Sequence, residues 1–127
     1  GQMQEKYDIT DAELEIMQVL WKNKQCNLST IIEELSEGEE KNKNTVKTLI
    51  HRLVQKGAIE SKKINGKEVI YIPKINEKKF ISKESNNFLK KFFNGSTEKL
   101  LLNFIKENKV SKDELQRLID ILEEEKD

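Results

Sequence analysis

Between Asn44 and Arg52 the chain offers Asn44, Lys47, Thr48, His51 and Arg52, with no acidic residue in the stretch. These side chains suit a polynucleotide. An amide can pair bidentately with adenine, a threonine can touch a thymine methyl or a phosphate, and lysine or arginine can reach phosphate or guanine. A little further on, Lys62, Lys63 and Lys67 crowd around Asn65-Gly66, a second cationic cluster suited to a sugar-phosphate backbone. Any one of these cations, taken singly, reads as a solvated surface charge. Their coincidence points to a polyanion. Residues 41–67 hold eight Lys/Arg against Glu60 alone, a net +7, whereas residues 1–40 carry −7 and residues 68–127 sum to zero.

The same inventory removes other chemistries. Cys26 is the only cysteine and His51 the only histidine, which excludes internal disulfides, Cys/His zinc sites and any nucleophile-histidine relay not built on His51. Asp113-Glu114 and Glu123-Glu124-Glu125 read as helix-end and solvated charges rather than an acid/base pair. Neither catalysis, nor a metal, nor a cofactor is expected. With 127 residues, 35% hydrophobic and 36% charged, the chain is one ordinary domain or two small ones, with a core completed by a partner. It has no apolar run of membrane-spanning length and no basic-then-apolar leader. A soluble cytoplasmic protein without lipid contacts is the expectation.

The elements that must position the cationic residues follow from periodicity. Thr10-Asp11-Ala12-Glu13 is a capping box with Ile9 and Leu14 at the staple positions, and Leu14, Met17, Val19, Leu20 and Trp21 continue an apolar side. That first helix ends at Asn23-Lys24. Leu28, Ile31, Ile32 and Leu35 predict a short second helix with Asn27 as cap, closed by the turn Ser36-Glu37-Gly38. Val46, Leu49, Ile50 and Leu53 predict a third, capped by Asn42 or Asn44 and stopped by a left-handed Gly57. On it, Asn44, Thr48, His51 and Gln55 fall opposite the apolar residues, flanked by Lys47 and Arg52.

The period then changes. Ile59–Ile64 and Lys67–Ile72 read as strands joined by Asn65-Gly66, a strong hairpin signal, and a two-residue loop would set Lys63 opposite Glu68. Pro73 marks a domain boundary. Beyond it, helices are predicted from about Asn76 to Asn94, from Ser96 through Leu100, Leu101, Leu102, Phe104 and Ile105, and from the box Ser111–Glu114 through Leu115, Leu118, Ile119 and Leu122. The resulting expectation is a mostly α protein with a small β-hairpin: a winged helix-turn-helix domain over residues 5–73 and a three-helix dimerisation domain over 74–127.

Several motifs together resemble the BlaI/MecI family of bacterial transcriptional repressors, the penicillinase repressors, over nearly the whole chain. They are Ile9-Thr10-Asp11-Ala12-Glu13-Leu14-Glu15-Ile16-Met17 leading to Leu20-Trp21, Ile31-Ile32-Glu33-Glu34-Leu35, and Thr45-Val46-Lys47-Thr48-Leu49-Ile50-His51-Arg52-Leu53 with Lys56-Gly57. The resemblance implies a homodimer that binds an inverted-repeat operator on double-stranded DNA and blocks transcription of antibiotic-resistance genes. It makes Asn42, Lys43, Asn44, Lys47, Thr48, His51 and Arg52 the DNA-reading set and Lys62, Lys63 and Lys67 the wing contacts. It also implies induction by a membrane-bound sensor metallopeptidase that responds to β-lactam, with cleavage between Asn103 and Phe104. His51 and Lys43 depart from the family's usual residue types at their positions, and the Cys-x-Cys cluster of copper-responsive relatives is missing after Cys26. Two alternatives stand beside this reading: a winged-helix regulator gated by a small ligand, and a helical protein-interaction module with no DNA target.

Overall fold

The computed structural model describes residues 8–35 and 42–125. The predicted Ser36-Glu37-Gly38 turn and the start of the first domain at residue 5 lie outside them. In chain order the elements are α1 (Asp11–Asn23), β1 (Cys26–Asn27), α2 (Leu28–Leu35), α3 (Lys43–Gln55), β2 (Ile59–Ile64), β3 (Glu68–Pro73), α4 (Glu77–Phe93), α5 (Thr97–Lys106) and α6 (Lys112–Glu125).

The capping box starts α1 as its residue types require: the Thr10 hydroxyl accepts from the Glu13 amide at 3.2 Å, and the Glu13 carboxylate accepts from the Thr10 amide at 2.9 Å. Asn27 caps α2, its side-chain oxygen accepting from the Thr30 amide at 3.0 Å. The amphipathic stripes of the three helices then meet. Ile16, Met17 and Leu20 of α1, Ile31 of α2, and Val46 and Leu53 of α3 are fully buried, joined by Ala58 and Ile59 at the entry to the hairpin. Each large aliphatic side chain so buried contributes about 1.5–3 kcal/mol, which is what holds α3 against the body.

The sheet has three strands in the order β1-β3-β2, all antiparallel. β1 was not expected; it consists of Cys26 and Asn27 paired with Tyr71 and Ile70, and two residues are too few to show alternation. Packing continues beyond Pro73: Ile75 is buried, its carbonyl accepts from the Trp21 indole N–H at 2.9 Å, and Phe80 stacks at a tilt on Trp21 with ring centroids 5.6 Å apart. The first compact unit accordingly ends at Phe80, inside α4, and the second begins at Ile81.

The second unit contains the rest of α4 with α5 and α6, and no residue of these three helices is buried. Phe92 is 60% exposed and Leu122 66%, with Ile81, Phe88, Leu101, Leu102, Ile105, Leu118, Ile119 and Ile121 in a similar state. Among the described residues no helix is long and apolar enough to cross a membrane.

Candidate nucleic-acid interface

The third helix divides its residues cleanly. Asn42 takes the cap, its side-chain oxygen accepting from the Asn44 amide at 2.7 Å, so one acceptor site of Asn42 is committed to the helix while its N–H₂ remains available for outside contacts. Val46, Leu49, Ile50 and Leu53 are buried, and Asn42, Lys43, Asn44, Lys47, Thr48, His51 and Arg52 are all exposed. The Thr48 hydroxyl donates back to the Asn44 carbonyl at 3.0 Å, which leaves its methyl as the freer recognition group. No acid occurs between Lys43 and Gln55, so nothing on the helix itself neutralises Lys47 and Arg52.

The C-terminal end of α3 is held by an ion pair between Lys56 and Glu13, the latter assigned by sequence patterning only to the capping box. The Lys56 ammonium lies 2.6 Å from Glu13 Oε1 and also donates to the Asp8 carbonyl, tying the end of α3 to the start of α1. Burial pushes the Glu13 carboxyl up, but the Lys56 ammonium and the Thr10 hydrogen bonds outweigh it and hold the acid below its ordinary range. Lys56 is therefore a structural cation within the basic segment. The available signal was Glu13 at a position facing inward on α1, where a carboxylate demands a partner. Gly57, at φ +80°, then turns the chain into β2.

The hairpin tip corrects the expected register. Asn65 and Gly66 both have positive φ, and the Lys67 amide donates to the Ile64 carbonyl at 3.2 Å, yet the ladder pairs Ile64 with Glu68 and Lys63 with Val69. Lys67 stays in the loop as a third residue, which moves the pairing by one and separates Lys63 from Glu68. Glu68 instead accepts from the Asn27 side-chain amide at 2.5 Å. This leaves Lys62, Lys63 and Lys67 exposed, with alternation sending Lys62 and Lys63 to opposite faces of the ribbon.

The two cationic groups thus belong to one compact unit, joined by the short Lys56–Ala58 link. Asn103 and Phe104 lie apart in the second unit, on α5: Asn103 is exposed, Phe104 half-buried, and the Asn103 carbonyl accepts from the Glu107 amide at 3.1 Å. Among the described residues no group of three or more His, Cys, Asp or Glu side chains could hold a metal ion.

Three helices, a short first strand and a hairpin whose cations accompany an acid-free third helix define a winged-helix DNA-binding protein. The chain belongs to the penicillinase repressor family, whose profile matches residues 9–124. It is 39% identical over 118 residues to the penicillinase repressor of Bacillus licheniformis, covering 93% of this chain and 91% of that protein. It is 37% identical over 116 residues to the methicillin resistance regulatory protein MecI of Staphylococcus aureus strain N315, covering 91% and 94% respectively. Among solved structures, the monomeric form of Bacillus licheniformis BlaI in complex with the blaP half-operator matches with a TM-score of 0.50 and 40% identity, over 57% of this chain and 88% of that one.

Proposed function

We propose that the protein is a homodimeric transcriptional repressor that reads an inverted-repeat operator with α3 and steadies it with the β2–β3 wing. The observation that carries this is the α3 face: eight exposed polar or cationic side chains from Asn42 to Arg52, Thr45 among them, no acid, and a buried apolar stripe opposite. Lys47, His51, Arg52, Asn44, Lys43 and the Thr48 methyl address base edges and flanking phosphates, while Asn42 contributes its N–H₂ near the helix start. Lys62, Lys63 and Lys67 meet the backbone and add affinity more than specificity. The relative whose monomeric form was solved on a half-operator supports a single head as the unit of half-site recognition.

The exposed apolar side chains of α4, α5 and α6 support a second copy of the chain as their cover, because solvated monomers rarely leave so much apolar surface uncovered. In this reading residues 5–73 form the DNA-binding domain and 74–127 the dimerisation domain. Release comes from a membrane-bound sensor metallopeptidase that cuts between Asn103 and Phe104 in the cytoplasm, and the regulated genes serve resistance to β-lactams. Because that peptide bond sits in the helical turn closed by the Asn103-to-Glu107 hydrogen bond, cutting requires the end of α5 to open first. The repressor itself needs no catalytic group, metal or cofactor.

Mobility-shift titration tests the recognition helix. Lys47→Ala should weaken binding to the operator by about 1–3 kcal/mol if Lys47 reads a base, and should lower the salt slope by about 0.9 if it meets a phosphate. A variant unchanged in both would remove Lys47 from the interface.

A further inference from the structure

His51 is the only histidine in the chain, and it stands on the exposed face of α3 one turn from Lys47 and beside Arg52. Among the described residues no other side chain is of a type that ordinarily changes charge near neutrality. Burial, with the negative charge of Glu34 acting in the same direction, pushes the Cys26 thiol up and away from that range. Glu13 and Glu114 are held below the ordinary carboxylate range.

The surroundings of His51 also carry no fixed partner. α3 packs against α1, α2 and β2, whose charged residues are Asp11, Glu13, Glu15 and Lys22, then Glu33 and Glu34, then Glu60, Lys62 and Lys63. Glu13 is committed to Lys56, and Glu34 to Lys22 at 3.4 Å. Among the described residues no hydrogen bond or ion pair engages His51. Its nearest charged neighbours along the helix are cations, Lys47 and Arg52, with Lys43 two turns away.

We propose that His51 makes duplex binding proton-linked, so that the protein grips DNA more tightly as pH falls from weakly alkaline to weakly acidic. The inference rests on α3 being the DNA-reading helix. In the free protein an imidazolium at this site meets only like charge on its own helix; against a duplex it meets phosphates. Binding therefore draws a proton onto the ring, and a ligand that takes up protons binds more tightly at lower pH. The protonated ring also displaces a condensed counterion, which adds to the salt dependence. A histidine retained only for solubility or packing would do neither.

The experiment uses the full chain and the highest-affinity duplex recovered from a randomised pool at neutral pH, followed by fluorescence anisotropy at about pH 6 and about pH 7.5. The wild type should bind roughly three- to tenfold more tightly at the lower pH, with a log affinity against log salt slope steeper by about 0.9 per bound head. His51→Gln should show one affinity and one slope at both pH values, and His51→Lys should bind tightly at both. A His51→Gln protein that keeps the wild-type pH response, or a wild type that binds equally at both values, overturns the proposal while leaving α3 as the reading helix. Failure of the wild type to enrich any duplex, together with a Lys47→Ala variant no different from it, would instead sink the assignment of α3 itself.

Discussion

Glu13 and Lys56 show how a few atoms decide where the reading helix sits. Glu13 is fully inaccessible, one of its oxygens has no hydrogen-bond partner, and the other is shared by the Thr10 amide and the Lys56 ammonium. Removing the cation strands a buried carboxylate. Lys56→Met should therefore cost about 2–3 kcal/mol in urea unfolding, below the cost of breaking a fully buried pair because the lysine side chain keeps 30% exposure. The pH dependence has a definite sign. The folded carboxyl titrates below its ordinary value of 4.5, so its contribution is complete above about that pH and fades as pH falls through the depressed folded value. A Glu13→Gln variant, which can keep the capping contact, should lack that acid-side component, and a wild type whose stability did not fall faster than the variant's in acid would contradict the pairing.

The elements differ in how far they could be foreseen. α1, α2 and α3 were legible because caps, staples and the 3.6-residue stripe agree with one another, and the core takes Met17, Val19, Leu20, Ile31 and the whole α3 stripe from it, but it adds Ile16, which the stripe did not name, and leaves Leu14, Trp21, Leu28, Ile32 and Leu35 only partly buried. The hairpin was legible in place but not in register, because whether Lys67 joins the ladder or the loop depends on turn geometry that Asn65-Gly66 alone leaves open. β1 was invisible, and the reach of the first unit to Phe80 depends on Trp21, whose indole N–H found a carbonyl 54 residues away. Helix α5 has a consequence at this scale. Ser96 caps it, the hydroxyl accepting from the Lys99 amide at 3.1 Å, and the helix is only ten residues long. Ser96→Ala should remove about 1 kcal/mol from it and raise by roughly fivefold the rate at which limited proteolysis enters the Asn103-Phe104 region. An unchanged cutting rate would mean that opening of α5 does not govern access.

At the scale of the whole molecule, the neutral total charge hides an acidic beginning and a basic middle, and the apolar surface is distributed just as unevenly. The first unit buries its stripe; the second leaves Phe88, Phe92, Leu118 and Leu122 in solvent. If a second copy covers them, two heads are linked through one dimer, and the second head binds at the effective concentration set by the first. Breaking the dimer without touching the heads isolates that gain. Leu118→Glu with Leu122→Glu places two carboxylates where apolar contact is proposed, on a helix with no buried residue of its own, so the first unit should unfold at an unchanged temperature. Sedimentation should shift from dimer to monomer. Affinity for an inverted repeat should then fall by about 10²- to 10⁴-fold, toward the value for a duplex carrying one half-site, while half-site affinity stays at the wild-type level. A double variant that still sediments as a dimer would move the interface off α6. One that is monomeric yet binds the inverted repeat as tightly as before would break the proposed link between assembly and repression.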